Sequence, residues 1–318
     1  MNDTMRVSII MLNYNSGKEI FESIQSVLVQ TYSNLELVIS DDASSFFPSS
    51  DIKQLLKDCN NPDFSYTLIE NQYNLGTVKN INNAVLNCNG DILINLSAGD
   101  IFYDKDVVKK IVEEFQNTKC RFLITRRALY ENDINNIIGY MPSAYDIKKI
   151  QNFRNAKEEY IALCTSDFHN LASGCVFACK RDFLSEYNNY DEKYRLWEDG
   201  PLFSKILKDG IKINYNFDII SIYYRYGGVS TGDLSPLMRN DIDIFLSQAL
   251  KENYFSGFNK RKLEYAYQKK VKIYNNHLAI LFYRIKYLDV MIYRLMQKID
   301  EKMFYLLNWA KKSKFDFL

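Results

Sequence analysis

The sequence predicts an α/β fold in which a mostly parallel sheet is flanked by helices and followed by a helical C-terminal extension. Short apolar runs alternate with segments whose apolar residues recur at helical spacing, which is typical of repeated strand–helix units. The chain has 318 residues, 47% of them hydrophobic, which is enough for one domain and an appendage. We therefore predict a first domain at 1–232 and a helical extension at 233–318.

The N-terminal part of the chain gives the clearest pattern. Apolar runs predict strands at 6–12, 35–39, 66–70 and 91–96, and helical spacing predicts helices at 18–30, 51–59 and 77–86. Farther along, we predict helices at 105–115, 181–186 and 202–207, and strands at 121–125, 173–179 and 219–224. The stretch between 132 and 167 has no clear pattern.

Polar clusters follow three of these predicted strands. They are Asn13-Tyr14-Asn15, Asp41-Asp42 and Ser97-Ala98-Gly99-Asp100. Any one of them could be ordinary turn chemistry, because Asp and Asn favour turns. Ligands of open α/β sheets bind at the carboxyl ends of the strands, so three such clusters in register predict a ligand pocket.

Six motifs occur in an order that resembles glycosyltransferase family 2. They are Val7 to Asn15, Asp41-Asp42 with Ser44, Asn74-Leu75-Gly76 with Asn80, Leu96 to Asp100, Glu198-Asp199, and Tyr224-Arg225 with Gly227 to Ser230. The resemblance covers residues 5 to 232. It implies a Rossmann-like GT-A fold and an inverting enzyme. Such an enzyme transfers a sugar from a nucleotide-diphosphate sugar, here a UDP-sugar, to a glycan acceptor in bacterial cell-surface polysaccharide biosynthesis.

The resemblance also implies a set of donor-binding residues: Asn13, Tyr14, Asp41, Asp42, Asn80, Ser97 and Arg225. Asp42 would accept a hydrogen bond from a uracil-type N–H, whereas Asp41 would either share this contact or orient the loop. Arg225 would meet the diphosphate or hold its own loop, beside a flap at Gly227-Gly228.

The metal motif departs from the family pattern. Where many members have Leu-Asp-x-Asp-Asp, this chain has Leu96-Ser97-Ala98-Gly99-Asp100, so only Asp100 remains as a carboxylate ligand for Mg²⁺ or Mn²⁺. One carboxylate with phosphate oxygens and waters can still hold Mg²⁺. Two alternatives stay open: Asp100 caps the following loop or helix, or the chain is a non-catalytic nucleotide-sugar-binding or scaffold protein.

Asp199 matches the family's catalytic base, which takes the proton of the acceptor hydroxyl. Glu198 and Trp197 directly precede Asp199, and with the resemblance this position makes them candidates for binding the acceptor. A plain N-cap is the alternative for Asp199, and a core ring is the alternative for Trp197.

Other function classes lack their signatures. None of the six cysteines forms a CxxC pair, which speaks against a zinc site. No GxGxxG follows the first strand, which speaks against a dinucleotide oxidoreductase, and a nucleotidyltransferase would need a Gly-rich basic loop there. With no evident signal peptide, we expect a cytoplasmic protein, peripheral at most on the inner face of the membrane.

The C-terminal segment combines basic charge with a heptad pattern. Residues 251–318 contain 15 Lys and Arg against six Asp and Glu, so this segment has a net charge of +9 and the rest of the chain a net charge of −8. The heptad positions are Leu278, Ile285, Ile292, Ile299 and Leu306, with Leu281, Leu288 and Leu295 three residues after the first three. We expect intramolecular packing or a homodimer first, and a membrane surface second; nucleic acid is not expected.

Overall fold

The computed structural model describes residues 5–57, 59, 61–165, 173–226, 234–272 and 277–315. The chain divides into two compact units: Met1–Met141 with Ala172–Met238, and Pro142–Leu171 with Arg239–Leu318. The second unit therefore contains most of the predicted extension together with Pro142–Leu171, a stretch that the sequence analysis had assigned to the first domain. The predicted flap at Gly227-Gly228 lies outside the described residues.

The described part of the first unit contains nine strands in one mixed sheet. They are β1 (Val7–Asn13), β2 (Leu35–Asp41), β3 (Ser65–Glu70), β4 (Ile92–Asn95), β5 (Ile101–Phe102), β6 (Phe122–Tyr130), β7 (Ile137–Met141), β8 (Phe177–Lys180) and β9 (Tyr215–Arg225). Their order is β3-β2-β1-β4-β8-β6-β9-β5, with β7 paired to β6. Strands β1 to β4 are parallel, β8 lies antiparallel between β4 and β6, and β9 is parallel to β6. The predicted fold class is confirmed.

Twelve α-helices occur in the described residues. They are α1 (Glu19–Leu28), α2 (Ser49–Lys57), α3 (Thr77–Leu86), α4 (Val107–Thr118), α5 (Ala144–Gln151), α6 (Ala156–Thr165), α7 (Arg181–Glu186), α8 (Asp199–Lys208), α9 (Pro236–Ala249), α10 (Gly257–Tyr267), α11 (His277–Lys286) and α12 (Leu288–Phe315). The predicted helices of the first unit are all present. Helices α5 and α6 fall in the stretch where the sequence showed no pattern.

The strand ends of the sheet are level because the register is fixed by buried residues. Every residue of β2 is buried, and Asn13 pairs with Asp41 at the last position of the β1–β2 ladder. A shift of one residue would separate Ser8 from Glu36 and Asn13 from Asp41, which are buried hydrogen-bonded pairs across this ladder, so these pairs hold the register. The polar clusters after β1, β2 and β4 therefore lie along the same edge of the sheet.

Helices form the second unit, and aromatic hydroxyls hold several of them together. Tyr145 of α5 donates to Asp300 of α12 at 2.7 Å, and Tyr160 of α6 donates to Glu252 at 2.5 Å. Arg261 of α10 makes a bidentate contact with Asp289 at the start of α12.

The heptad residues of α11 and α12 are exposed. Leu278, Ile285, Ile292, Ile299 and Leu306 are all at least 50% exposed. Packing within the second unit does not cover them, so the predicted intramolecular seam is not found there. Among the described residues, no helix is both long enough and apolar enough to cross a membrane.

Candidate active site

Asn13, Asp41, Asp42 and Ser44 lie at the ends of β1 and β2, and we call them the nucleotide rim after the role predicted for this edge. The Asn13 amide donates to Asp41 Oδ1 at 2.6 Å and to Ser44 Oγ at 3.2 Å. Asp41 also accepts from the Ser44 N–H at 2.9 Å and from the Ser44 hydroxyl at 2.5 Å. In this structure, Asp41 is occupied with orienting its own loop, which is the second of its two predicted roles.

Asp42 organises the loop that carries Asn74-Leu75-Gly76. Its Oδ1 accepts from the Leu75 N–H at 2.7 Å, and its Oδ2 accepts from the Gly76 N–H at 2.9 Å. An ionised carboxylate has about four acceptor positions, so these two bonds leave capacity for a base N–H. The structure therefore gives Asp42 a loop-holding function beside its predicted contact with the donor.

Gly76 brings this loop against the segment that leads to Glu198. A Cβ at Gly76 would lie 2.6 Å from Arg195 Cγ and 2.7 Å from the Arg195 carbonyl oxygen. The φ of Gly76 is +85°, a conformation that favours glycine. The Val78 N–H donates to the same carbonyl at 3.1 Å, and the Arg195 guanidinium donates to Asn74 Oδ1 at 3.0 Å. Arg195 thus joins the loop that Asp42 holds to the segment that carries Glu198 and Asp199.

The other predicted donor residues are distributed around this edge. Asn80 is buried, where it accepts from Ser40 and Asn71 and donates to the Ser40 carbonyl, so its observed contacts are structural. Tyr14 and Ser97 are exposed. Arg225 forms an ion pair with Glu19 of α1, and Glu19 Oε2 lies 3.3 Å from the position of a Cβ on Gly99. Arg225 is therefore near the Ser97–Asp100 turn, but its charge is engaged.

Asp199, at the start of α8, is held by donors from three residues. Its Oδ2 accepts from the Gly174 N–H at 2.7 Å, and its Oδ1 accepts from the Gly200 N–H at 2.6 Å. The Trp197 side chain also donates to it. Because Gly174 belongs to a separate 3₁₀ turn, Gly174–Val176, Asp199 is more than a cap of its own helix. The observed contact of Trp197 is with this carboxylate, and its predicted contact with the acceptor stays a prediction.

Glu198 lies beside Asp199, and the two carboxyls differ in their surroundings. Burial and the neighbouring charge of Asp199 raise the pKa of Glu198 to about 8. Burial also raises the pKa of Asp199, but the donors from Gly174, Gly200 and Trp197 and the charge of Arg127 act in the opposite direction. At neutral pH, this arrangement keeps Glu198 protonated, and Asp199 is the one of the two carboxyls whose donors favour the anion.

Asp100 is buried at the end of the Ser97–Asp100 turn. Its Oδ2 has no hydrogen-bond partner among the described residues. Burial raises the pKa of Asp100 to about 7, although the charge of Arg127 opposes this. A buried oxygen without a partner is costly, so this atom is suited to a ligand that brings its own positive charge. A capping role, the alternative raised by the sequence, does not account for it.

Arg127 is a buried cation that the sequence analysis did not identify. It is 1% exposed on β6, where its guanidinium contacts Ser173 Oγ at 3.3 Å and Cys175 Sγ at 3.0 Å and lies 4.3 Å from the Tyr224 ring centroid. Its charge acts on both Asp100 and Asp199. We call Asp100, Arg127, Glu198 and Asp199 the acidic centre. Residues 173–175 connect Arg127 to Asp199, because Arg127 contacts Ser173 and Cys175 while Asp199 accepts from the Gly174 N–H.

Comparison with known proteins identifies the family of the chain. A family model described as Glycosyl transferase family 2 matches residues 8–185. An uncharacterized glycosyltransferase of Haemophilus influenzae is 23% identical over 306 residues, covering 95% of this chain and 88% of that protein. The Escherichia coli protein WfaP, named as a UDP-Glc:alpha-D-GlcNAc-diphosphoundecaprenol beta-1,3-glucosyltransferase, is 27% identical over 237 residues, covering 73% of this chain and 83% of its own. WfgD of E. coli, with the same described activity, is 25% identical over 280 residues, covering 84% and 100%.

Solved structures show the same fold. Residues 1–349 of S. aureus TarS in complex with UDP superpose with a TM-score of 0.60 at 15% identity, over 85% of this chain and 74% of that one. The mannosyltransferase PcManGT from Pyrobaculum calidifontis, in complex with GDP-Man and Mn²⁺, gives a TM-score of 0.54 at 15% identity, over 85% and 70%. At this identity the likeness concerns the fold alone.

Proposed function

Because the chain belongs to glycosyltransferase family 2, we propose that this glycosyltransferase moves one sugar from a UDP-sugar to a lipid-linked glycan acceptor, with inversion at the anomeric carbon. The observation that carries the proposal is the acidic centre, where three donors and a buried arginine favour an ionised Asp199 beside Glu198. The names of WfaP and WfgD support a UDP-sugar donor and a lipid-linked acceptor.

In the proposed reaction, the acceptor hydroxyl attacks the anomeric carbon from the side opposite the diphosphate. Asp199 accepts the hydroxyl proton as the new C–O bond forms and the bond to the diphosphate oxygen breaks. UDP leaves with the electron pair of the broken bond. Protonated Glu198 can donate a hydrogen bond to the acceptor, a role that an ionised neighbour of Asp199 could not fill.

On the donor side, Asp42 accepts the base N–H, while Asn13 and Asp41 shape the pocket and Tyr14 packs on it. Ser97, which is exposed, would hydrogen-bond the ribose, and Asn80, which is buried, would support the pocket. Arg225 would have to leave Glu19 to reach the diphosphate.

A divalent cation, Mg²⁺ or Mn²⁺, fits one feature of this site. Asp100 Oδ2 is buried without a partner, and no three metal-ligating side chains come together in the described residues. Asp100 would hold the ion together with diphosphate oxygens and water, consistent with the several waters that Mg²⁺ retains. When bound, the cation would stabilise charge on the leaving diphosphate.

The first test is a thermal-shift panel of UDP-, GDP- and dTDP-sugars, each with and without Mn²⁺. We expect stabilisation by UDP-sugars, increased by Mn²⁺, because a ligand that binds the folded state raises its melting temperature. Transfer to a synthetic GlcNAc-diphospho-lipid then follows, with the product anomer assigned by NMR. A product that retains the donor configuration, or an absence of turnover across the donor panel, would contradict the proposal; the latter would favour a nucleotide-sugar-binding protein.

A further inference from the structure

Helices α11 and α12 carry a concentration of exposed apolar side chains. Of the 23 large apolar residues exposed in the described part of the chain, 13 lie between Leu278 and Leu307. Scattered exposed apolar residues are normal on a soluble protein, whereas a contiguous set of this size marks an interaction surface. We call this surface the apolar stripe. It includes Leu278, Phe282, Ile285, Ile292, Ile299 and Leu306, with exposures from 50% to 79%.

The apolar stripe is wider than a two-helix seam. A coiled-coil seam uses two positions of each heptad, but here a third position is also apolar and exposed, at Phe282, Met296 and Met303. A broad apolar face on a helix suits packing against an extended surface. Helix α12 has 28 residues, which gives it a length of about 42 Å.

Basic side chains border the stripe. Arg284 and Lys298, both exposed, lie 14 residues apart and so occupy the same heptad position next to the stripe, while exposed Lys302 interrupts it. Two acidic side chains of α12 already have partners within the unit, because Asp289 is engaged by Arg261 and Asp300 accepts from Tyr145. The border of the stripe therefore presents positive charge.

More positive charge comes from the π-helical turn Gln268–Lys272. The charges that act on Lys269 are those of Arg294, Arg284 and Lys298, all of the same sign. Burial, Arg294 and Lys269 lower the pKa of Lys270 to about 8. Of these basic residues, Lys269, Arg284 and Lys298 are exposed, whereas Arg294 contacts the Thr165 carbonyl and the Tyr265 ring. We call Lys269, Arg284 and Lys298 the basic cluster. The repulsion between like charges that lie this close together is reduced when an anion binds beside them.

We propose that α11 and α12 lie on an anionic phospholipid surface, with the apolar stripe in the headgroup–acyl boundary and the basic cluster against lipid phosphates. A second copy of the chain is the competing occupant, but a parallel pairing of α12 would place like positive charges beside each other and bring Lys302 against its own equivalent. An anionic bilayer offers both an apolar layer and the complementary charge.

The test is co-sedimentation of the full chain with vesicles of phosphatidylglycerol and phosphatidylcholine, compared with phosphatidylcholine alone. We expect the protein to pellet with the anionic vesicles, and to partition at least about 10-fold less onto neutral ones or in 1 M salt, where the Debye length is about 3 Å. The double variant Ile292→Glu/Leu295→Glu should partition onto anionic vesicles about 10-fold less, because it removes part of the apolar contribution. Arg284→Glu/Lys298→Glu should have a similar effect, because it removes part of the electrostatic contribution.

Matched controls come from the first unit. Leu86 is 76% exposed, so Leu86→Glu controls for the apolar change, and the exposed pair Lys53→Glu/Lys109→Glu controls for the charge change. Both controls should pellet as the unmodified chain does. Thermal unfolding verifies that all variants are folded, and vesicle binding is measured without donor or acceptor, so its failure is separate from a failure of transfer.

Two results would overturn this proposal. One is a chain that stays in the supernatant with anionic vesicles. The other is a dimer in multi-angle light scattering that Ile292→Glu/Leu295→Glu converts to a monomer while vesicle binding is unchanged, because the stripe would then be a seam between copies.

Discussion

The nucleotide rim and the acidic centre are both rich in carboxylates, yet they differ in how those carboxylates are satisfied. In the rim, each oxygen of Asp42 already accepts a backbone N–H, and Asp41 accepts from Asn13 and Ser44. In the acidic centre, Asp100 Oδ2 has no partner in the described residues, and burial raises the pKa of Asp100 and Glu198. In the rim, both carboxylates have several partners within the protein, whereas in the centre one oxygen of Asp100 has none among the described residues.

The largest expected effect separates the two carboxyls of the centre. Asp199→Asn should lower kcat by about 10³-fold, because it removes the proton acceptor, while the donor Kd stays nearly unchanged. Glu198→Gln is the matched control, since an amide resembles the protonated carboxyl, and it should lower kcat by less than about 10-fold. Steady-state transfer and donor titration measure both. Near-normal rates in Asp199→Asn would make the assignment of the base wrong.

A second prediction concerns the nucleotide rim. Asp42→Ala should weaken donor binding roughly 10- to 100-fold, because it removes a charge-assisted acceptor and releases the Leu75 and Gly76 N–H groups. At saturating donor, kcat should change much less. Calorimetric titration with UDP and its sugars measures the affinity. An unchanged Kd with a reduced kcat would place Asp42 in the chemistry and remove the distinction between the two regions.

The third prediction tests how tightly the centre is packed. A Cβ at Gly174 would lie 2.4 Å from Glu198 Oε1, so Gly174→Ala must displace that carboxyl and should lower kcat roughly 10-fold. Gly139→Ala is the control, because no atom lies within 4 Å of its added Cβ. Transfer rates of both variants, together with unfolding curves, provide the comparison. Equal rates would show that the centre tolerates movement.

The smallest effect is a pH dependence of stability. The pKa of Glu198 is about 8 in the folded protein against 4.5 ordinarily, so between these values the folded state holds a proton that the unfolded chain has lost. Its contribution to stability is therefore fully present below pH 4.5 and is lost progressively as the pH rises to 8.

Glu198→Gln cannot titrate, so its melting temperature relative to the unmodified chain should rise between pH 5 and 8, on the order of a few degrees, and level off above. Differential scanning fluorimetry across this range measures the difference. A difference that does not vary with pH would mean that Glu198 is ionised throughout.

Sequence patterns predicted most of the first unit and the positions of its polar turns. The register of β1 and β2 follows from continuous apolar runs, so the placement of Asn13 beside Asp41 was accessible to sequence reasoning. Strand β7 was missed, because its five residues are only partly buried and lack a strong apolar pattern. The two-residue strand β5 is too short to produce a pattern.

The least predictable feature was Arg127. It stands next to Arg126 in a strand, and nothing in their spacing tells which arginine is buried; only the alternation of β6 against its neighbours turns Arg127 inward. The donors to Asp199 were hidden for a similar reason, since Gly174 is 25 residues away in sequence. Contacts of this kind depend on tertiary structure, which local patterns do not record.

The contact between Gly76 and Arg195 has a consequence for protein engineering. With no room for even a methyl group at Gly76, the loop that Asp42 holds and the segment that carries Asp199 fit each other as a matched pair. Exchange of only one of the two segments with that of a relative should therefore yield an inactive chimaera. Residues 74–78 and 195–199 are the smallest pair of segments that should be exchanged together.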